Sequence, residues 1–106
     1  MRSLVLLFLI GIPFFGLARQ KPVDSLYLRL NNAQNDSVRY YYLHRIYSYY
    51  EEIQKDSALV IAKKMYAIAR ENNQYYTSIT CMGMIGYQQM GLGNYAESLN
   101  ILLKAL

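Results

Sequence analysis

Three observations predict an all-α protein built of stacked antiparallel helix hairpins. Apolar residues recur at intervals of three and four along most of the chain, and no segment alternates polar and apolar residues for long enough to argue a strand. The stretch Gly91-Leu92-Gly93-Asn94 cannot continue a helix cheaply, because glycine costs about 1 kcal/mol in a helix interior and Asn94 favours a cap. Small residues flank that turn, Gly86 before it and Ser98 and Ala105 after it. Two helices joined there can bring their backbones close together, with Tyr95 wedged beside the turn.

The elements follow in order. Residues 4–17 carry no charge and follow Arg2, which is the layout of a secretory signal. The run falls short of the ~20 apolar residues that a membrane-spanning helix wants. Pro13 and Gly16 weaken its end, and Gly16-Leu17-Ala18 offers small residues for cleavage. The expectation is a signal peptide over 1–18 and an exported protein, periplasmic or extracellular. A retained segment anchored in the inner membrane is the alternative, and the lack of a nearby cysteine disfavours a lipid anchor.

A leading segment, 19–36, follows. Pro22-Val23 reads as a breaker, and Asp24 or Ser25 as the cap of a short helix carrying Leu26, Leu28, Leu30 and Ala33. The repeat domain covers 37–106. Asn35-Asp36-Ser37 caps a helix whose stripe Val38, Tyr42, Ile46, Tyr49 and Ile53 is expected to be buried. Glu51 and Glu52 stand near its end, where negative charge opposes the helix dipole and frays the last turn. Asp56 and Ser57 cap the next helix, with Leu59, Ala62, Met65, Tyr66 and Ala69 on its apolar side and an end near Asn72-Asn73. A further helix runs from about Gln74 to Met90 with Ile79, Met82, Ile85, Gly86 and Met90 on one side. The last begins near Tyr95 and carries Leu99, Leu102 and Leu106 on one face.

The spacing of Gly86, Gly93, Tyr95, Ser98 and Ala105 resembles the tetratricopeptide repeat (TPR), whose signature places small, turn and aromatic residues at these intervals. Met82 and Ile85 stand where that family prefers Trp and Leu, Ser98 where it prefers Ala, and Gln89 where it prefers Tyr. A second, degraded copy lies forty residues upstream: Tyr42 matches Met82, Ile46 matches Gly86, Ala58 matches Ser98, Met65 matches Ala105, and Tyr49 supplies the missing aromatic. The resemblance implies a right-handed α-solenoid of about two repeats plus a leading helix. Its period exceeds the usual ~34 residues, so helices or connections must be longer than usual. Asp56-Ser57-Ala58-Leu59 with Ala62-Lys63-Lys64 looks like the second helix of repeats from bacterial exported and signalling proteins.

Charge and chemistry exclude several classes of function. Without residues 1–18 the chain keeps ten basic and seven acidic side chains, and the basic ones are dispersed rather than striped, so no nucleic-acid partner is expected. His44 is the one histidine and lacks companions for a metal site, so no metal and no cofactor are expected. It reads as a half-exposed neighbour of Tyr40 or Tyr47. Cys81 is alone and reads as a small buried residue, with an intermolecular disulfide as the alternative. Adjacent Glu51 and Glu52 point about 100° apart on a helix and form no acid–base pair. The glycines lack phosphate-loop spacing. No catalytic residue emerges.

Tyrosine is the unusual signal: beyond Ala18 every aromatic side chain is Tyr, including Tyr40-Tyr41-Tyr42 and Tyr49-Tyr50. Tyr suits half-buried positions and binding surfaces. With Tyr42 and Tyr49 inward, Tyr40, Leu43 and Tyr47 occupy a neighbouring face, matched forty residues on by Thr80, Gly83 and Tyr87. The TPR resemblance implies that this face lines a concave groove for a protein or peptide, giving Tyr40, Leu43, Tyr47, Thr80, Met84 and Tyr87 as groove residues. Lys, Arg and Asn at the family's carboxylate-clamp positions are missing. The expected function is a non-catalytic protein-interaction scaffold. The alternative is the N-terminal extracytoplasmic sensor region of a signal-transduction protein, a histidine kinase or helix-turn-helix regulator, whose effector lies outside this chain. No membrane contact is expected once the signal is removed, and self-association through the C-terminal helix is possible because its apolar face has no cap.

Overall fold

The computed structural model describes residues 21–105; the predicted signal segment 1–18 and Leu106 lie outside them. Five helices follow one another: α1 Pro22–Asn31, α2 Asp36–Tyr50, α3 Lys55–Glu71, α4 Tyr75–Gly91 and α5 Tyr95–Ala105. Each packs on its neighbours in sequence, α1 on α2, α2 on α3, α3 on α4 and α4 on α5. The expected all-α array of stacked hairpins is what forms. Helices α2 to α4 run 15, 17 and 17 residues, so the long period resides in helices rather than in connections.

Local chemistry sets the starts. Pro22 does not break the chain but opens α1, where its fixed φ and missing N–H cost nothing. Asp24 Oδ2 accepts the Lys21 backbone N–H at 3.1 Å, and Val23, read as part of the breaker, is a core residue only 2% exposed. The predicted cap of α2 is present: Asn35 Oδ1 accepts the Val38 N–H at 2.9 Å. Helix α3 starts two to three residues earlier than Asp56-Ser57 suggests, with Gln54 at its N-cap. Asp56 then sits in the first turn, where its charge favours the dipole.

The ends of α3 and α4 share one design. After α3, the Asn73 and Gln74 N–H groups donate to the Arg70 and Ala69 carbonyls; after α4, those of Gly93 and Asn94 donate to Met90 and Gln89. Both are Schellman closures with a left-handed residue at the centre, Asn73 at φ 54° and Gly93 at φ 85°. Asparagine and glycine are the residues that adopt this conformation with least strain. Helix α2 ends differently, with Tyr50 O accepting from both Ile53 and Gln54, and stops just before the two acids.

The core joins Val23, Leu43, Ile46 and Tyr47 to Ala58, Ile61, Ala62 and Met65 of α3 and to Cys81 and Ile85 of α4. Each large aliphatic side chain fully buried here contributes roughly 1.5–3 kcal/mol. Small residues of α3 let α2 and α4 approach it from both sides: Ala58, Ala62 and Ala69 are all 0% exposed. The buried face of α2 is rotated from the expected stripe. Leu43, Ile46 and Tyr47 point inward, Tyr42 and Tyr49 are half-buried, and Val38 and Ile53 are 37% and 64% exposed. Tyr95 does not wedge beside the turn but lies 69% exposed. Ser98 makes the close approach instead, its Oγ donating to the Gly86 carbonyl at 2.7 Å.

Candidate protein-binding surface

Helices α2 and α4 meet only through long side chains, and those contacts set where the six predicted groove residues stand. The Tyr47 hydroxyl accepts from Gln88 Nε2 at 3.0 Å in a fully buried contact. Tyr40 reaches across to Cys81, with 3.6 Å between hydroxyl and sulfur. On the exposed side the Tyr87 hydroxyl donates to Glu52 Oε1 at 3.1 Å, and Lys55 Nζ lies 5.3 Å from the Tyr87 ring centroid. The stem of Lys55 runs over Gly91, where any Cβ would come within 2.5 Å of it.

The six residues therefore divide. Leu43 and Tyr47 are 3% and 4% exposed, core residues whose apolar area is almost wholly covered by the neighbouring helices, and they add little to a surface between α2 and α4. Tyr40 and Met84 are half-buried and pack against the core. Thr80 is exposed with its hydroxyl donating to Tyr76 O at 3.1 Å, and Tyr87 is 48% exposed. Tyr40 lines a cleft of about 200 Å³ with Asp36, Ile68, Asn72 and Thr77. Leu43 belongs to a separate groove of about 460 Å³ with Leu30, Lys64 and Ile68.

Sequence reasoning left two parts of this surface out of the groove, although it placed His44 beside Tyr40 or Tyr47. His44 is exposed and its ring stacks on Tyr40 at 6.5 Å, extending the Tyr40 row by one turn. The Glu52–Tyr87–Lys55 cluster was missed because its partners come from the α2–α3 connection, the start of α3 and helix α4, which only folding brings together. Tyr41 and Arg45 stand one helical turn apart, and Arg45 Nη1 donates to the Tyr41 hydroxyl at 3.0 Å.

Burial raises the acid–base thresholds of this region. Tyr40 is pushed up by burial and then by its contact with Cys81, and Tyr47 by burial against a smaller opposing effect of Gln88. The Cys81 thiol is pushed up by burial, as a packing residue rather than a reactive one would be. On Tyr87 the hydrogen bond to the Glu52 carboxylate leads, favouring the neutral phenol. These phenols remain hydrogen-bonding groups over the physiological range.

The family model described as the SusR N-terminal TPR domain matches residues 13–105. The chain belongs to this family. The match begins inside the stretch 1–18 read as a signal and runs through all five helices. No curated protein and no solved structure matches. TPR domains are in general non-catalytic scaffolds that bind proteins or peptides, and the array of α1 to α5 is a scaffold of that architecture.

Proposed function

We propose that this TPR domain is an exported, non-catalytic scaffold that docks a protein or peptide on the surface between α2 and α4. The observation that carries the reading is the row of partly exposed Tyr40, His44, Thr80, Met84 and Tyr87 over a floor closed by the Tyr47–Gln88 hydrogen bond. A rigid floor under amphipathic aromatic side chains is what a binding surface needs, because little side-chain entropy is lost on docking. Leu43 and Tyr47 act as supports of that surface, and Tyr40, Thr80, Met84 and Tyr87 as its contact groups. The localisation follows from residues 1–18 read as a cleaved signal. Retention as an inner-membrane anchor is the competing state, and mass spectrometry of the secreted or membrane fraction separates the two. Among the described residues no helix is long and apolar enough to cross a membrane.

The test compares partner capture by the wild type with a Thr80→Glu plus Tyr87→Ala variant, from an extract of the compartment where the chain is found. Loss of a specific partner with unchanged helicity supports the surface. Unchanged retention rejects it.

A second reading is favoured by the words "N-terminal" in the family description: this domain is the extracytoplasmic sensing end of a signal-transduction protein with a kinase or helix-turn-helix effector. Sequencing the gene beyond the Leu106 codon tests it. A continuing frame that encodes such an effector supports the sensor, and a stop codon there returns the first reading.

A further inference from the structure

A different face of the molecule carries a second site. Between α1 and α2 lies a cleft of about 350 Å³ lined by Ser25, Leu26, Arg29, Tyr41, Tyr42 and Arg45. We propose that this cleft binds an oxyanion, a carboxylate or phosphate group held by the Arg29 and Arg45 guanidiniums and the adjoining hydroxyls.

Charge is the first argument. Two guanidiniums share the cleft and no carboxylate lines it. Among the described residues the one ion pair joins Arg39 to Asp36, neither of which belongs to this cleft. Of the cations outside the cleft, Arg70 lies over Tyr66 and Lys55 over Tyr87. Both arginines are exposed, so water screens their mutual repulsion, and what the cleft offers an anion is two guanidiniums on one surface with no carboxylate among its lining residues.

Preorganisation is the second argument. Arg45 spends one N–H on the Tyr41 hydroxyl, its Cζ standing 5.8 Å from the Tyr41 ring centroid. Tyr41 is in turn set edge-on against Tyr42, with centroids 5.0 Å apart at 80°. The guanidinium is thus held in place with most of its donors free, and a planar fork matches the geometry of carboxylate and phosphate. Tyr42 adds a hydroxyl, the Ser25 hydroxyl being donated to Pro22 O at 3.2 Å, and Leu26 is the one apolar side chain of the lining. The volume lies at the low end of small-ligand pockets, large enough for an oxyanion with a polar substituent. No residue of the α2–α4 row takes part, so this site stands or falls independently of the scaffold reading.

The test uses the full chain and follows the arginine Nε–H resonances and thermal midpoint during titration with sodium phosphate and, separately, with a penta-glutamate peptide, at constant ionic strength. Arg29→Gln plus Arg45→Gln is compared with Lys63→Gln plus Lys64→Gln, which removes the same charge from exposed positions on α3. Saturable shifts of two arginine resonances are expected, with affinity weakened at least about tenfold in the arginine variant and less than about twofold in the lysine variant. Tyr41→Phe, which frees Arg45, should weaken binding by a few-fold. Tighter binding of the peptide, competed by phosphate, identifies an anion borne on a polypeptide; tighter binding of phosphate identifies a soluble small anion. Shifts that fail to saturate with either probe, or an equal loss in both variants, overturn the proposal.

Discussion

The two hairpin units, α2–α3 and α4–α5, occupy the same repeat register yet fill the gap between their helices from opposite sides. In the first, helix α2 carries the bulk: Ile46 is 0% exposed and faces a helix whose equivalent positions are the small Ala58 and Ala62. In the second, helix α4 is bare at Gly86 and α5 supplies the bulk, with the Leu102 Cγ and Cδ2 atoms 2.7 Å from where a Gly86 Cβ would stand. Conserving the summed volume while moving it across the interface keeps the spacing of the helices. A further difference is closure. Helix α4 covers the first unit, so Tyr47 is 4% exposed, whereas its counterpart Tyr87 is 48% exposed and Leu99 and Leu103 are 60% and 59% exposed.

That contrast fixes the order of mutational effects. Ile46→Ala should cost about 2–5 kcal/mol in chemical denaturation, a fully buried truncation, whereas half-buried Leu102→Ala should cost only about 1–2 kcal/mol. Equal losses would mean that the second unit is as closed as the first. Gly86→Ile should destabilise by about 1–3 kcal/mol through overpacking against Leu102. Adding Leu102→Ala, which converts the second unit to the first unit's arrangement, should recover part of that loss in the double-mutant cycle. Additive losses would break the volume-exchange account.

Polar links sharpen the comparison further. Tyr47→Phe strands the buried Gln88 amide and should cost about 1–3 kcal/mol, while Tyr87→Phe, at the exposed counterpart, should stay within about 0.5 kcal/mol. The smallest effect is on pH. Tyr27 is pushed up to about 12, by burial first and then by the neighbouring Tyr50, and Tyr40 and Tyr47 are raised by burial. Above the unfolded phenol threshold of about 10 the unfolded chain loses protons that the folded chain keeps. Their stabilisation is therefore complete below pH 10 and lost as pH rises from there through the raised folded values, 10 to about 12 for Tyr27. A denaturant midpoint that does not fall between pH 9.5 and 11.5 would contradict it.

Much of this architecture was legible where a residue has one physical option. The Gly91–Asn94 turn, the Asn35 cap, the break at Asn72-Asn73 and the Gly86–Ser98 approach were readable because left-handed backbone, capping and close packing each restrict residue type. The facing of α2 was not. Tyrosines and aliphatic residues surround that helix, so a stripe through Tyr42 and Tyr49 and one through Leu43 and Tyr47 look alike in sequence. Burial by α4 chooses the second, and that choice depends on Gln88, a residue whose side chain gives no apolar signal. Leu43 and Tyr47 accordingly left the predicted groove, while Tyr40, Thr80, Met84 and Tyr87 kept surface.

The central claim is that α4 closes the first hairpin while the second remains open on its α5 side. Native-state amide hydrogen exchange at low protein concentration tests it directly. The account predicts that the amides around Ile61–Met65 and Cys81–Ile85 exchange slowest and that those of Leu99–Leu103 exchange at least about tenfold faster. Protection of α5 equal to that of α3, at a dilution where the chain is monomeric, would contradict it.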